Sequence, residues 1–377
     1  MVNIAFIVGK KASVDPYRYK YTDKKAPKWF KEQVDDFIQF ADKRRHEFPS
    51  DVAMCMYLSY KHPTQDFACF NGRTVTLEDL DEFDVVYNVY DAIEIFHCGE
   101  DKTCPSDSKK FETMLKKTTA VVYPFPEFHK YIINKPNYYK DLKKAGIPVA
   151  KFFKAIPKTV IKNPTAFKDK ILQKGWKGII VKPSYSGYSI GIRVFKNIER
   201  TKVSTLRKHF EKLEKLGFPN ATIQEYIPGF EKHYELRTYW VNEKYIRTVG
   251  TGLTGENDDT FESEDGEIPD SIKKKIISLG KDVLKSIRQY PYTHPFVRID
   301  FGCCLESKNC DETYFVNEVE TGAANMLDDE DSPVVEKIAD AIYDFAKKVK
   351  GKGNNIKGKT SNYKVKKLPC PVYDPFE

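Results

Sequence analysis

Apolar runs of strand length, separated by a stretch with helical periodicity, dominate the first third of the chain. The runs are nearly continuous and comprise VNIAFIV (2–8), VAMCMYL (52–58) and FDVVYNVYDAI (83–93). Continuous apolar runs are typical of strands that are covered on both faces. Between the first two runs, residues 29–48 repeat apolar side chains at helical spacing. Such alternation predicts an α/β unit with a parallel sheet, which we place at residues 1–122.

Two further units of mixed helices and strands follow, at 123–228 and 229–350, and a basic tail covers 351–377. Within 123–228, a helix over 127–145 ends at Gly146-Ile147-Pro148, a second helix covers 199–216, and strands are predicted at 178–183, 190–195 and 221–227. Within 229–350, a hairpin of 235–241 and 244–253 precedes a helix at 270–287, strands at 295–304 and 313–320, and a helix at 332–349. The fold class is therefore α/β, with two α+β units after the first.

Charge and hydropathy give no indication of a nucleic-acid partner or of a membrane-spanning segment. The net charge of +8 is spread along the chain, so it does not by itself indicate a nucleic-acid partner. No apolar run approaches the roughly 20 residues that span a bilayer. The first residues have neither a basic region nor a small-residue cleavage site, so we expect a cytoplasmic protein with no membrane partner. Among the eight cysteines, no disulfide framework is expected, and Cys55 and Cys303 are expected to be reduced residues inside strands.

The stretch VKPSYSGYSIGIRVF (181–195) joins two predicted strands through a turn rich in glycine and serine. Glycines such as Gly187 and Gly191 allow backbone N–H groups to approach a phosphate closely, and hydroxyls such as those of Ser184 and Ser189 add donors. Lys182 can place a positive charge on phosphate oxygens. No Walker A motif occurs in the chain. An ordinary β-hairpin is the alternative interpretation.

A second group of residues is acidic. Asp300 lies in VRIDFG (297–302), and Glu318 and Glu320 lie two residues apart in YFVNEVE (314–320), so the two glutamates share a strand face. Carboxylates that converge on adjacent strands suit Mg²⁺, which prefers oxygen ligands. The alternative is a solvated strand face, against which the apolar neighbours of these acids argue.

A third element, IQEYIPGFEKHYELRTY (223–239), links two strands through a Pro-Gly turn. Backbone groups of Glu225 and Ile227 could pair with an adenine edge, and Arg237 and Arg247 could reach phosphates. The alternative is an ordinary turn between domains.

Taken in order, these motifs resemble those of the ATP-grasp superfamily and, within it, of D-alanine–D-alanine ligases. The similarity covers about residues 130–328. It rests on Asn134-Lys135 before Gly146-Ile147-Pro148, on VKPSYSGYSIG, on QEYIPGFE (224–231), on R-x-D at 298–300 and on N-E-V-x-T at 317–321. The resemblance implies a three-domain architecture in which the second and third units clasp ATP.

The resemblance also implies roles for individual residues. ATP phosphates would be bound by Lys135 and Lys182 and covered by a loop that includes Ser184, Gly187 and Ser189. The rest of the nucleotide would be bound by Gln224, Glu225 and Ile227 at adenine and by Glu231 at the ribose. Arg237 and Arg247 are further candidate nucleotide-binding residues on the residue-based argument above. Two Mg²⁺ ions, with Mn²⁺ as the alternative, would be held by Asp300, Glu318 and Glu320. The catalytic residues would be Arg298, Lys182 and Ser189.

By the same resemblance, the activity would be that of an ATP-dependent ligase. A carboxylate would attack the γ-phosphate of ATP to give an acyl phosphate, and an amine would then displace the phosphate. The substrates would be a small-molecule carboxylate, such as an amino acid or a small peptide-like acid, and an amine, with a thiol as the alternative acceptor. No nucleic-acid partner is expected, and the oligomeric state stays open, a homodimer included.

The sequence departs from the ligase pattern at three places. Glu320 stands where that family usually has Asn, TGAANML (321–327) lacks its Pro-Gly, and VGKKASVDPYR (8–18) replaces the segment that holds the first D-alanine. These departures, with the basic residues at 10, 11 and 18, favour an anionic substrate over D-alanine. Two alternative functions therefore stay open. One is an ATP-grasp kinase that phosphorylates a hydroxyl of an anionic small molecule such as an inositol phosphate, and the other is a nucleotide-binding regulatory module.

Overall fold

The computed structural model describes residues 4–8, 53–57, 67–69, 74–75, 79–88, 117–125, 128, 131–132, 134–184, 191–229, 235–251, 268–287, 294–303, 314–321 and 333–351. Within these residues the strands form three sheets, one of six strands and two of four.

The first sheet confirms the predicted parallel core. It contains β1 (Ile4–Val8), β2 (Ala53–Tyr57), β3 (Phe67–Cys69), β4 (Thr74–Val75), β5 (Val85–Asn88) and β6 (Val121–Tyr123), in the order β4-β3-β2-β1-β5-β6. The pairs β1·β2, β1·β5 and β5·β6 are parallel, whereas β3 and β4 add an antiparallel edge that the apolar pattern did not indicate. The helix predicted at 29–48 lies outside the described residues.

The second sheet is antiparallel and carries the predicted phosphate-binding strand. Its strands are β7 (Phe152–Ala155), β8 (Ile179–Pro183), β9 (Arg193–Phe195) and β10 (Ala221–Glu225), in the order β7-β10-β8-β9. Helices α2 (Pro157–Lys162), α3 (Pro164–Gln173) and α4 (Val203–Lys215) contribute to one apolar core with this sheet. Lys182 of β8 lies opposite Thr222 of β10. Gln224 and Glu225 follow Thr222 on β10, two and three residues later.

The third sheet holds the predicted acidic strands. It consists of β11 (Glu235–Val241), β12 (Lys244–Thr251), β13 (Phe296–Cys303) and β14 (Tyr314–Glu320), in the order β12-β11-β13-β14, with every pair antiparallel. The predicted hairpin is confirmed, and its turn residues Asn242 and Glu243 both have positive φ, as a tight turn that matches the strand twist requires. The helices of this unit are α5 (Asp270–Ile287) and α6 (Pro333–Gly351), close to the predicted spans.

Helix α1 (Lys135–Lys144) brings the second unit against the third sheet. The hydroxyl of Tyr139 donates to the carbonyl of Asn317 in β14, and the N–H of Val319 donates to the hydroxyl of Tyr138 at 3.3 Å. After the helix, the N–H of Val316 donates to the carbonyl of Pro148 at 2.9 Å. These contacts place Lys135, the first residue of α1, beside the acidic strand.

Two further features bear on the sequence-based expectations. Cys303 is disulfide-bonded, so the expectation of a reduced cysteine is wrong at this position. Within the part of the chain that the structure describes, no helix combines the length and the apolar character needed to cross a bilayer.

Candidate functional site

Three carboxylates converge where β13 and β14 pair. In the register of the two strands, Asp300 lies opposite Glu318, and Arg298 lies opposite Glu320. All four side chains share one face of the sheet, because side chains alternate along each strand with a period of two. A carboxylate oxygen from each of Asp300, Glu318 and Glu320 lies within 4.8 Å of the others. The structure therefore brings together the three residues that the sequence predicted as metal ligands. Oxygen-only donors at this spacing fit a hard divalent cation such as Mg²⁺.

Arg298 neutralises part of this acidic cluster. Its Nε and Nη2 atoms donate to the two carboxylate oxygens of Asp300, each at 2.9 Å, and Nη2 lies 2.7 Å from Oε2 of Glu320. Burial disfavours the charged guanidinium, but the attraction of Asp300 and Glu320 outweighs it and raises the pKa of Arg298 well above its usual value. The side chain is therefore a fixed, permanently charged group at the edge of the cluster.

Lys135 approaches the same cluster from the second unit. Its ammonium forms an ion pair with the carboxylate of Glu318. Burial favours the neutral form of Glu318, yet the attraction of Lys135 and Lys182 prevails and lowers the pKa of Glu318. Glu318 is therefore ionised at neutral pH and able to bind a cation.

Lys182 lies beside this pair and connects to a chain of buried polar side chains. Its Nζ atom donates to Oδ1 of Asn317 at 2.9 Å, and Nδ2 of Asn317 donates to Oε1 of Glu235 at 2.7 Å. Nε and Nη2 of Arg237 then donate to Oε2 of Glu235, each at 3.2 Å. Burial lowers the pKa of Lys182 more than the attraction of Glu318 raises it.

Glu235 was missed by the sequence analysis, and no role was assigned to Asn317. Both side chains are buried, although Glu235 begins a predicted strand and shares its alternating face with Arg237. Burial, followed by the nearby charge of Asp300, raises the pKa of Glu235, and Arg237 offsets part of this effect. The alternation of Glu235 with Arg237 was the available signal for a polar strand face.

The predicted adenine-binding residues lie at the junction of the second and third units. Gln224 is buried, and its Oε1 atom has no hydrogen-bond partner among the described residues. The N–H of Glu225 donates to the carbonyl of Lys151 at 2.8 Å, which occupies that donor. Ile227 packs against Ala150 and Phe315. Gln224 therefore offers a buried acceptor at the end of β10.

The remaining predicted residues divide into three groups. Ser184 is buried at the end of β8, with its hydroxyl 3.4 Å from that of Thr222. Arg247 lies on β12 opposite Tyr239, with its guanidinium 5.3 Å from the ring centroid. In the strand order, β12 lies at the opposite edge of the sheet from β14, so the backbones of Arg247 and Glu320 are about three strand spacings, or about 14 Å, apart. Gly187, Ser189 and Glu231 lie outside the described residues.

Solved structures match almost the whole chain at low sequence identity. D-alanine–D-alanine ligase from Bacillus anthracis complexed with ATP is 14% identical, with a TM-score of 0.59 over 93% of this chain and 99% of that one. A D-cycloserine synthetase is 12% identical, with a TM-score of 0.59 over 92% and 99%. A RimK domain ATP-grasp protein from Sphaerobacter thermophilus is 11% identical, with a TM-score of 0.52 over 90% and 98%.

The chain has the ATP-grasp fold. The similarity to solved structures therefore confirms the fold predicted from the order of the motifs. No protein-family model matches the chain, and no curated protein sequence matches it significantly.

Proposed function

We propose that this protein is an ATP-dependent ligase that activates a small-molecule carboxylate as an acyl phosphate and joins it to an amine. One observation carries the proposal: Asp300, Glu318 and Glu320 converge with Arg298, and two lysines approach them from a separate unit of the ATP-grasp fold. Lys135 pairs with Glu318, and Lys182 donates to the adjacent Asn317. Acidic metal ligands beside buried lysines suit the transfer of a phosphoryl group, in which catalysis is mainly positioning and charge neutralisation.

The three carboxylates would hold Mg²⁺, two ions in our proposal, with Mn²⁺ as an alternative. Such ions would neutralise charge on the phosphoryl oxygens and bring attacking and leaving groups into line. The ionised Glu318 and the oxygen-only donor set support this assignment. Glu320 gives the site one more negative charge than the Asn of the ligase pattern.

ATP would lie across the junction between the second and third sheets. Lys135 and Lys182 would contact its phosphates, since both ammonium groups are buried within reach of β14. The acceptor Oε1 of Gln224 suits the exocyclic amine of adenine. The remaining proposed contacts are Ser184, Gly187 and Ser189 at the phosphates, Glu225 and Ile227 at adenine, Glu231 at the ribose, and Arg237 and Arg247 as further nucleotide-binding residues.

In the first chemical step, a substrate carboxylate oxygen would bond to the γ-phosphorus as the bond to the leaving ADP breaks. In the second, an amine would attack the activated carbonyl carbon, and phosphate would leave as the amine loses a proton. Arg298 can stabilise the negative charge that develops on the phosphoryl group or on the carbonyl oxygen. Its pairing with Asp300 and Glu320 holds the guanidinium in place for this task.

The broader assignments belong to this proposal. The division at 1–122, 123–228, 229–350 and 351–377, the cytoplasmic location, and small-molecule partners without nucleic acid or membrane all stay predictions. The basic residues at 10, 11 and 18 favour an anionic acid over D-alanine.

Trapping the activated acid tests this function. The protein is incubated with ATP, Mg²⁺, hydroxylamine and a panel of amino acids and peptides, and hydroxamates are detected by mass spectrometry. We expect a hydroxamate together with an equal amount of ADP. Replacing a metal ligand in Glu318→Gln should abolish its formation, whereas Glu211→Gln, on the exposed side of α4, should not change it. ADP formed with a phosphorylated polyol, without any hydroxamate, would point instead to the kinase.

A further inference from the structure

A chain of hydrogen bonds crosses from the second unit to the third through Glu235. We propose that Glu235 is a positioning residue that sets two cations at once, Lys182 through Asn317 and Arg237 directly. The inference rests on the proposed function, because it assigns both cations to the phosphates of ATP.

The donors and acceptors in this series of hydrogen bonds allow one orientation of the Asn317 amide. The Glu235 carboxylate only accepts hydrogen bonds, so the Nδ2 donor of Asn317 must face it, at 2.7 Å. Oδ1 of Asn317 must then face the opposite way, where it accepts from Nζ of Lys182 at 2.9 Å. An ammonium has three donors, so this bond orients Lys182 while leaving its other donors for a phosphate.

Arg237 is held by the second oxygen of the same carboxylate. Nε and Nη2 both donate to Oε2 of Glu235, which leaves Nη1 of Arg237 outside this pairing. The opposite residue on β13 is Asp300, so Arg237 lies in the same row of the sheet as the carboxylate cluster. One carboxylate thus orients two cations from different sheets, Lys182 of the second sheet and Arg237 of the third.

The burial of Glu235 argues for a role beyond folding. The residue is 5% exposed and lies near a second buried carboxylate, Asp300. Removing an ionised group from water carries a large free-energy cost, which the attraction within a buried ion pair often only balances. At a strand position this deeply buried, an apolar residue would stabilise the fold at least as well. The carboxylate is therefore best explained by the groups that it orients.

Nucleotides of different phosphate length separate positioning from structural support. Binding of a non-hydrolysable Mg·ATP analogue and of AMP is measured by calorimetry for the wild-type chain and for Glu235→Gln. Gln presents a donor as well as an acceptor, so it cannot accept from both Asn317 and Arg237. We expect the ATP analogue to bind about 10- to 100-fold more weakly, the effect of losing a hydrogen bond to a charged group. AMP, which lacks the β- and γ-phosphates, should bind within about twofold of wild type.

Two further variants sharpen the test. Asn317→Leu breaks the link to Lys182, and the double variant with Glu235→Gln should lose less than the product of the two single effects, because the residues act in one chain. Glu211→Gln, which removes an exposed carboxylate from α4, should bind both nucleotides as wild type does.

The outcomes separate this inference from the proposed function. Equal weakening of AMP and the ATP analogue in Glu235→Gln, or unchanged binding of both, would overturn the positioning role while the ligase proposal stood. A wild-type chain that binds no Mg·ATP analogue would overturn the proposed function, and the inference with it.

Discussion

Replacing Lys182 by Met should separate nucleotide binding from folding. Lys182 is 5% exposed, and burial lowers its pKa despite the attraction of Glu318, so its charge costs free energy of folding at neutral pH. Met keeps the length of the side chain and removes the charge. The loss leaves Oδ1 of Asn317 without its present donor, which costs about 1–3 kcal/mol, but the relief of burying an ammonium opposes that cost.

The free energy of unfolding should therefore stay within about 1 kcal/mol of wild type, because the two effects nearly cancel. Binding of Mg·ATP should weaken about 10- to 150-fold, since a charge-assisted hydrogen bond to phosphate contributes about 1.5–3 kcal/mol. Denaturant unfolding and calorimetry measure the two quantities on the same samples. A loss of 3 kcal/mol or more in stability (about half of a marginal domain's total), with unchanged nucleotide affinity, would show that Lys182 serves the fold.

Three further changes follow from the structure. Burial, aided by Arg193 and Lys212, lowers the pKa of His209 from 6.5 to about 4. As the pH falls, the unfolded chain therefore protonates at His209 before the folded chain does. The free energy of unfolding is at its full value above about pH 6.5 and should fall by up to about 2 kcal/mol between pH 7 and pH 5. His209→Leu should remove that fall in denaturant titrations, and an unaltered pH profile would contradict it. Gly280→Ala would bring a Cβ within 2.3 Å of the Trp240 ring; thermal unfolding should show a loss of about 1–3 kcal/mol, whereas a wild-type midpoint would refute the close packing. Glu320→Asn should keep Mg-dependent nucleotide binding but need about tenfold more Mg²⁺, because the site loses one carboxylate; an unchanged requirement would show that the negative charge of Glu320 does not contribute to Mg²⁺ binding.

Local pattern predicted the third sheet well. Its hairpin, its two acidic strands and α5 follow from alternation, turn chemistry and helical periodicity, and each of these signals is read within one segment. The two-residue spacing of Glu318 and Glu320 put both on one face, as the structure shows. Nothing in the spacing fixed the register in which β13 pairs with β14, so the position of Asp300 opposite Glu318 was not predicted.

What sequence reasoning missed depends on contacts between distant segments. Strand β7 is short and lies at a sheet edge, so its apolar signal was too weak to recognise. In the sequence, Glu235 has the pattern of a polar residue at the start of a strand. Its buried hydrogen bond with Asn317 joins distant segments and is visible only in the structure. The bond from Lys182 to Asn317 joins residues 135 positions apart, and no local pattern encodes such a separation. The disulfide of Cys303 was likewise outside what cysteine spacing indicated.

The capture of an acyl phosphate tests the central claim most directly. The measurement is the amount of hydroxamate formed per ADP released, from ATP, Mg²⁺, hydroxylamine and the panel of acids. The ligase account predicts a ratio close to one for at least one acid, and no product from Glu318→Gln. Release of ADP with a new phosphate ester on a polyol, and no hydroxamate from any acid, would contradict it.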